Sequence, residues 1–149
     1  MMKVKIKKLG EDAISPWYAS SGAACFDLFA CLKEPVFIGD GFNGVIPTGL
    51  QFEIPEGYVM MIYSRSGDGF KNDVRLANCV GVIDSDYRGE VMVKLTKDKC
   101  HELRQSLTVF SGQRIAQAMI IPVDRVSFEE ADTLSDTARG DGGFGSTGR

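Results

Sequence analysis

Hydrophobic and polar residues alternate over short stretches along most of the chain. Near the N-terminus, Val4 and Ile6 lie between lysines, a period-2 pattern that predicts a half-buried strand with a charged outer face. Further runs of this type are separated by turns that contain Gly, Pro, Asp or Asn. These runs are 26–30, 36–38, 45–46, 51–54, 58–63, 79–83, 90–96, 107–110, 115–121 and 126–128. Their spacing predicts an antiparallel all-β sandwich or barrel.

Helical periodicity is weak, because no window of about 11–18 residues keeps an apolar stripe at positions i, i+3, i+4 and i+7. We expect at most one short helix, after Ser66. From Asp132 onwards the composition shifts to small, polar and glycine residues, which bury too little apolar surface to fold alone. The chain is therefore divided into a β domain, residues 1–131, and a glycine-rich C-terminal segment, residues 132–149.

Length and charge restrict the class of protein. A chain of 149 residues, 44% of them hydrophobic, suits one domain with a real core. The net charge of −3 argues against an extended nucleic-acid surface but is compatible with a small anionic ligand. Residues 1–10 are basic and alternating, unlike a signal peptide, and no run approaches the ~18 apolar residues of a membrane span. We expect a cytoplasmic protein with reduced thiols, no membrane contact and no direct nucleic-acid binding.

Histidine and cysteine are too few, or wrongly spaced, for several kinds of site. His101 is the only histidine, so multi-histidine metal sites are excluded, and its charged neighbours favour a solvated surface side chain. The four cysteines, Cys25, Cys31, Cys79 and Cys100, form no C-x-x-C pair. A structural zinc site or a zinc-dependent base deaminase therefore has no support, and we interpret the cysteines as small buried apolar residues.

The glycine-rich tail has two interpretations, a disordered end or a wrapper for a phosphorylated ring compound. Its formal G-x-G-x-x-G match is spurious, because the helix that this motif needs does not follow. The tail does contain Arg139, Phe144 and the hydroxyls of Ser146 and Thr147. A guanidinium binds phosphate oxygens as a planar fork, and an aromatic ring stacks on a base.

A second polar segment follows the predicted strand 79–83. Its Asp86 and Gly89 are ordinary turn formers. A turn does not account for Asp84 directly after an apolar run, or for Tyr87 within the turn. A carboxylate here could take a proton from water, and the tyrosine ring could pack against a sugar. By contrast, the Arg-Ser-Gly at 65–67 is, taken alone, typical of a strand-to-turn junction.

Five short segments, in order along the chain, form a recognisable set. They are 24–30 (ACFDLFA), 65–67 (RSG), 81–90 (GVIDSDYRGE), 112–117 (GQRIAQ) and 139–148 (RGDGGFGSTG). Together they resemble the trimeric dUTPase family over nearly the whole chain. The resemblance implies a jelly-roll-like fold and a homotrimer with active sites between subunits. It also implies Mg²⁺-dependent hydrolysis of dUTP to dUMP and pyrophosphate, which supplies dUMP for dTMP synthesis and keeps uracil out of DNA.

The resemblance also implies a role for each matching residue. Asp84 matches the carboxylate that deprotonates the water attacking the α-phosphate, and Asp27 matches the one that holds a water in the Mg²⁺ shell. The phosphate contacts implied are Arg65, Ser66, Gly67, Gln117, Arg139, Ser146 and Thr147. The base and sugar contacts implied are Asn78, Gly81, Val82, Ile83, Tyr87, Met92 and Phe144. Residues 132–149 would be a flexible arm that closes over an active site.

Four positions depart from the family pattern. Cys25 stands where glycine is usual, Ser64 where proline is frequent, and Gln113 where an acidic residue is usual. Asp68 stands where an apolar residue is common, which places a carboxylate near the expected triphosphate. Two interpretations of Asp68 remain open at this point: it weakens substrate binding, or it is turned outward.

Two other functions are compatible with this fold. A dCTP deaminase-like enzyme would share the phosphate-binding residues, but the intact segment 81–90 favours attack of water at phosphorus. A catalytically silent module for nucleotide sensing or protein binding is the second alternative. The retention of Asp27, Asp84 and the complete tail motif argues against loss of activity.

Overall fold

The computed structural model describes residues 2–39, 43–98 and 106–146. Over these ranges it contains one helix, α1 (Ser66–Asn72), and twelve strands. The strands are β1 (Lys5–Lys8), β2 (Trp17–Tyr18), β3 (Phe26–Phe29), β4 (Val36–Ile38), β5 (Asn43–Pro47), β6 (Leu50–Glu53), β7 (Tyr58–Tyr63), β8 (Val74–Leu76), β9 (Val80–Ile83), β10 (Met92–Lys97), β11 (Leu107–Val109) and β12 (Arg114–Pro122). The prediction of an all-β fold with one short helix is confirmed.

The strands form four sheets around one core. The largest has the order β2-β3-β12-β7-β9, a second has the order β5-β10-β8, and the pairs β1-β6 and β11-β4 complete the set. Every sheet contributes to the same cluster of buried side chains, for example Leu28, Leu95, Phe52 and Val109. Because the strand pairs are antiparallel and one face of each sheet is apolar, the sheets bury those faces against one another.

Two predictions about strands are wrong. Residues 126–128 form no strand, and Val126 and Phe128 are 70% and 95% exposed. Alternation alone does not make a strand, since a strand also needs a partner for its backbone groups, and no described residue pairs with this segment. Strand β1 exists, but its apolar Ile6 is 38% exposed rather than buried. It pairs only with β6, in a two-stranded sheet.

Two short strands escaped prediction, β2 with two residues and β8 with three. Strand β8 is set up by the end of α1, where Asp73 adopts a left-handed conformation with φ of 55°. That residue ends the helix and turns the chain into the strand that leads to Asn78.

The cysteines are less buried than expected. Cys25 and Cys31 are partly buried and Cys79 is exposed, whereas Cys100 and also His101 lie outside the described residues. Burial, reinforced by the negative charge of Asp27, raises the pKa of the Cys25 thiol. Burial likewise raises the pKa of Cys31. In the described part of the chain, no helix combines the length and hydropathy needed to cross a bilayer.

Candidate active site

Sheet register brings three of the predicted residues to one place. Gln117 on β12 lies between Asp27 on β3 and Tyr63 on β7, as the direct partner of both. Strand β7 ends at Tyr63, so Ser64 and Arg65 emerge beside Asp27. Opposite residues of antiparallel strands share a face, and the side chains of Asp27 and Gln117 therefore project together.

A register irregularity adds Arg114 to this face. Ala116 is paired with Leu28, but Arg114 is paired with Phe29, so β12 carries one extra residue between them. In a regular ladder Arg114 would lie opposite Ala30, on the other face. The bulge instead places Arg114 on the face of Asp27, and its Nη1 lies 3.3 Å from Asp27 Oδ2.

Four ionised side chains meet here, and we call Asp27, Arg65, Asp68 and Arg114 the charge cluster. Arg65 Nε lies 3.5 Å from Asp27 Oδ1, and Arg65 Nη1 lies 3.1 Å from Asp68 Oδ2. Arg65 Nη1 also donates to the carbonyl oxygen of Arg114 at 3.3 Å. Asp27 is buried, and the formal charges of the two carboxylates and two guanidinium groups cancel.

Local structure holds Arg65 at the start of α1. It is the N-cap residue, with an extended backbone (φ −88°, ψ 131°). Its carbonyl accepts the amides of Asp68 and Gly69 at 3.2 and 3.1 Å. Gln117 Nε2 donates to the carbonyl of Ser64 at 2.9 Å, which anchors the residue before it. Ser66 and Gly67, also predicted as phosphate contacts, are exposed in the first helical turn, where amides lack intrahelical acceptors.

Five of the seven predicted base and sugar contacts line one cleft. Asn78, Gly81, Val82, Ile83 and Met92 surround a cavity of about 460 Å³. The cleft lies along β9, the edge strand of the five-stranded sheet, and its polar lining side chains are those of Asn78 and Lys94. A side chain at Gly81 would bring its Cβ within 3.1 Å of Ile62 Cβ, which explains the glycine.

Asp84 directly follows β9 but faces a different cleft. It is exposed and borders a cavity of about 900 Å³ with Asp86 and Arg88, and only Val82 lines both cavities. The turn that follows β9 is ordered by internal contacts. The amide of Tyr87 donates to Asp84 O at 3.2 Å, and the Tyr87 hydroxyl donates to Glu90 O at 3.1 Å.

The described hydrogen bonds do not hold the C-terminal segment at the charge cluster or at the base cleft of its own domain. The amide of Val123 donates to Gly57 O at 2.9 Å, and after it the hydrogen bonds of residues 124–146 to other described residues stay inside the segment. Arg139 Nε, for instance, donates to Gly142 O at 2.9 Å. Phe144 is fully exposed and Ser146 is exposed, while Thr147 lies outside the described residues.

Sequence reasoning missed the participation of two charged residues. Arg114, Arg65 and Asp68 line a third cavity of about 470 Å³. Arg114 was part of a recognised motif, three residues before Gln117, but only the bulge shows that it reaches Asp27. Asp68 was noted as a departure from the family pattern, and only the structure shows that its side chain points towards Arg65.

The oxygen donors of the site suit a magnesium ion that arrives with a substrate. Among the described residues no group of three or more His, Cys, Asp or Glu side chains forms a protein cage for a metal. Mg²⁺ is commonly held by one or two carboxylates, waters and substrate phosphates. Asp27, whose two oxygens face guanidinium groups, is a hard oxygen donor that fits contact through water.

Known proteins resemble this chain over its whole length. The family model described as dUTPase matches residues 11–148. The deoxyuridine 5'-triphosphate nucleotidohydrolase of Hahella chejuensis is 45% identical over 149 residues, covering 99% of this chain and 95% of the relative. The enzyme of the same name from a Hydrogenobaculum species is 46% identical over 147 residues, covering 99% of each.

Two solved structures have the same fold as this chain. The Staphylococcus bacteriophage 80alpha dUTPase with dUpNHpp has a TM-score of 0.85 and 26% identity, covering 100% of both chains. The G164S mutant of that phage enzyme, also with dUpNHpp, has a TM-score of 0.87 and 25% identity over 100% of both chains. The predicted jelly-roll-like fold is thereby confirmed.

Proposed function

This chain belongs to the dUTPase family, and from that premise we propose that it hydrolyses dUTP to dUMP and pyrophosphate. One observation carries the proposal: β9 lines the base cleft through Gly81 to Ile83, and Asp84 directly follows the last residue of the strand. The candidate general base is therefore placed at the end of the strand that carries the base contacts. The reaction supplies dUMP for dTMP synthesis, and removal of dUTP keeps uracil out of DNA.

Asp84 is the candidate general base. Water must attack the α-phosphorus in line with the leaving pyrophosphate, and a carboxylate can orient that water and accept its proton. Asp84 is exposed at the end of β9, and its backbone carbonyl is held by the Tyr87 amide. Tyr87 packs beneath the deoxyribose in this proposal, where a ribose 2′-hydroxyl would collide with the ring.

The phosphates are bound by preorganised donors. Arg65 is held between Asp27, Asp68 and the Arg114 carbonyl, so its guanidinium needs little rearrangement to receive an anion. Further contacts come from the exposed first turn of α1 and from the arm. These contacts are Ser66, Gly67, Gln117, Arg139, Ser146 and Thr147.

Asp27 would hold a magnesium ion through a bound water. When bound, Mg²⁺ neutralises charge that develops on the phosphate oxygens. Asp27 contributes a buried carboxylate whose position is determined by Arg65 and Arg114 on either side. In this arrangement the chain itself orients the water and the phosphates.

Base selection takes place in the cleft along β9. The edge groups of Asn78 and of the strand backbone pair with uracil, and a mispaired buried polar group discriminates by up to ~10⁴-fold. Thymine differs by one methyl group, so its exclusion is steric. Phe144 stacks on the bound base when the arm closes and expels water.

The separation of these parts within one chain supports a site shared by subunits. The base cleft, the charge cluster and the arm have no lining residue in common. We therefore assign residues 1–131 to the β domain and residues 132–149 to an arm that completes a site in a homotrimer. The exposed apolar residues Val126 and Phe128 lie in the segment that leads into the arm, and the exposed Leu134 lies near its start.

A substrate comparison tests the proposal. Pyrophosphate release is measured with Mg²⁺ and dUTP, dCTP, dTTP or UTP, and we expect hydrolysis of dUTP alone to be efficient. Ammonia release from dCTP would instead identify a deaminase. Binding of dUTP without release of pyrophosphate would identify a silent nucleotide-sensing module.

A further inference from the structure

Asp68 points towards the phosphate-binding arginine rather than outward. Its Oδ2 lies 3.1 Å from Arg65 Nη1, and the two side chains are only 21% and 23% exposed. The backbone reinforces this contact, because the Asp68 amide donates to the Arg65 carbonyl at 3.2 Å. The helical spacing of i and i+3 therefore holds the carboxylate against the guanidinium.

The contacts of Arg65 leave one side of its guanidinium available. Nη1 is shared between Asp68 and the Arg114 carbonyl, and Nε faces Asp27. Within the described residues, Nη2 makes no hydrogen bond. Asp68 thus holds the guanidinium from one end while the opposite end is free to meet a phosphate oxygen.

The charge of Asp68 also changes the net charge of the cluster that a phosphate would contact. With Asp68 ionised, the charge cluster has two negative and two positive groups and is formally neutral. Without that charge, the same cluster would carry one net positive charge at the point of phosphate contact. At separations of a few ångströms, one unit charge changes the affinity for an anion several-fold even in a well-screened site.

We propose that Asp68 is a positioning residue that sets how tightly this enzyme holds phosphate. It orients Arg65 and offsets its charge, so the triphosphate and the pyrophosphate product bind more weakly than they would to the bare arginine. The inference rests on the proposed function, and it favours release of pyrophosphate over maximal affinity.

The test uses Asp68→Asn in the full-length protein, because asparagine keeps an oxygen acceptor for Arg65 Nη1 and removes only the charge. We expect the KM for dUTP and the Ki of inorganic pyrophosphate each to fall by about 3- to 10-fold, with kcat within about twofold of wild type. Asp68→Glu, which restores the charge, should return both constants towards wild type.

Asp98→Asn is the matched control. Asp98 forms an Arg–Asp pair with Arg75 at 2.8 Å, and neither residue lines any of the three cavities. The control makes the same change in net charge and should leave KM and Ki unaltered. An unchanged or increased KM in Asp68→Asn, or an equal fall in Asp98→Asn, would overturn the inference.

A second measurement separates this inference from the proposed function. Calorimetry with inorganic pyrophosphate alone compares the wild type with Asp68→Asn, or with Asp68→Ser if the first variant fails to fold. Tighter binding by the variant supports the role of Asp68 even if the wild type releases no pyrophosphate from dUTP. Equal or weaker binding, or no binding by either protein, contradicts it.

Discussion

The charge cluster and the C-terminal arm both carry predicted phosphate contacts, but the molecule holds them in opposite ways. Arg65 is tied to Asp27, Asp68 and the Arg114 carbonyl on a five-stranded sheet. Among the described residues, Arg139 in the arm bonds only to Gly142, three residues away. One arginine is ordered by the fold before any ligand binds, and the other is hydrogen-bonded only within its own segment, as far as the structure describes the chain.

This difference separates preorganisation from closure. A group held by the fold costs little further ordering when it receives a phosphate. An arm of small and glycine residues must lose its conformational freedom on binding, so its contacts form only when a ligand and a neighbouring surface are in place. The domain would then supply the chemistry, and the arm would exclude water.

The largest effect is expected from Asp84→Asn, in the β domain that also carries the charge cluster. Without a carboxylate to accept the proton of water, kcat should fall by about 10²- to 10⁴-fold. The melting temperature and the affinity for a non-hydrolysable dUTP analogue should stay near wild type, because Asp84 is exposed. Steady-state kinetics measures kcat, and thermal denaturation measures the melting temperature.

Asp86→Asn is the control for that variant. It makes the same change in the same exposed turn, and asparagine is also a good turn former. Its kcat should remain within about threefold of wild type. Near wild-type turnover in Asp84→Asn would refute the assignment of the general base.

Removal of residues 139–149 tests the arm. We expect kcat/KM to fall by about 10²-fold or more, since closure and the distal phosphate contacts are lost. The melting temperature and the oligomeric mass should be unchanged, because residues 124–146 make no hydrogen bond to the described residues of the domain. Full-length Leu134→Ala, altered at an exposed residue of the same segment, is the control. Loss of assembly on truncation would show that the arm is structural.

A smaller effect is expected when only the aromatic ring of the arm is removed. Stacking of a base on an aromatic side chain contributes about 1–3 kcal/mol, so Phe144→Ala should lower kcat/KM by about 5- to 150-fold. Phe128→Ala removes the same ring from a residue that is also almost fully exposed, and it should have little effect on kcat/KM. Equal losses in the two variants would contradict a specific role for Phe144.

The smallest effect is expected at an ion pair outside both regions. The hydrogen bond from Lys5 Nζ, at 2.8 Å, lowers the pKa of Glu53. A lowered carboxyl pKa in the folded state stabilises the protein above the ordinary carboxyl range, and this contribution disappears as the pH falls through the lowered value. Glu53→Gln should therefore lower the melting temperature by only about 1–2 °C at neutral pH and by less in acid. A larger shift would show that surface pairs matter here as much as the charge cluster.

Strand prediction succeeded where the chain supplies both pattern and partner. Residues 58–63 and 36–38 are strands with the predicted bounds. The segment 126–128 has a similar alternation and is wrong, because no described strand lies beside it to accept its backbone groups. A pattern along the chain records which side chains could be buried, not which neighbour is present.

The candidate site shows the same limit at single residues. Asp27, Arg65 and Gln117 were predicted from motifs, and sheet register brings them together. Arg114 joins them only through the bulge in β12, which shifts it to the other face of the strand. No feature of the one-dimensional sequence marks that extra residue, since a bulge is defined by the pairing of two strands.

The sequence by itself determined the all-β class, the family and the chemical types present: carboxylates, arginines and a glycine-rich tail. These follow from local pattern and from motifs, which need no knowledge of distant contacts. Only the tertiary structure decided that Asp68 faces Arg65, that Arg114 reaches Asp27 and that the described part of the arm makes no hydrogen bond to the described part of its own domain. Each of these is a relation between segments far apart in the chain or a side-chain direction, and both are set by strand register and packing.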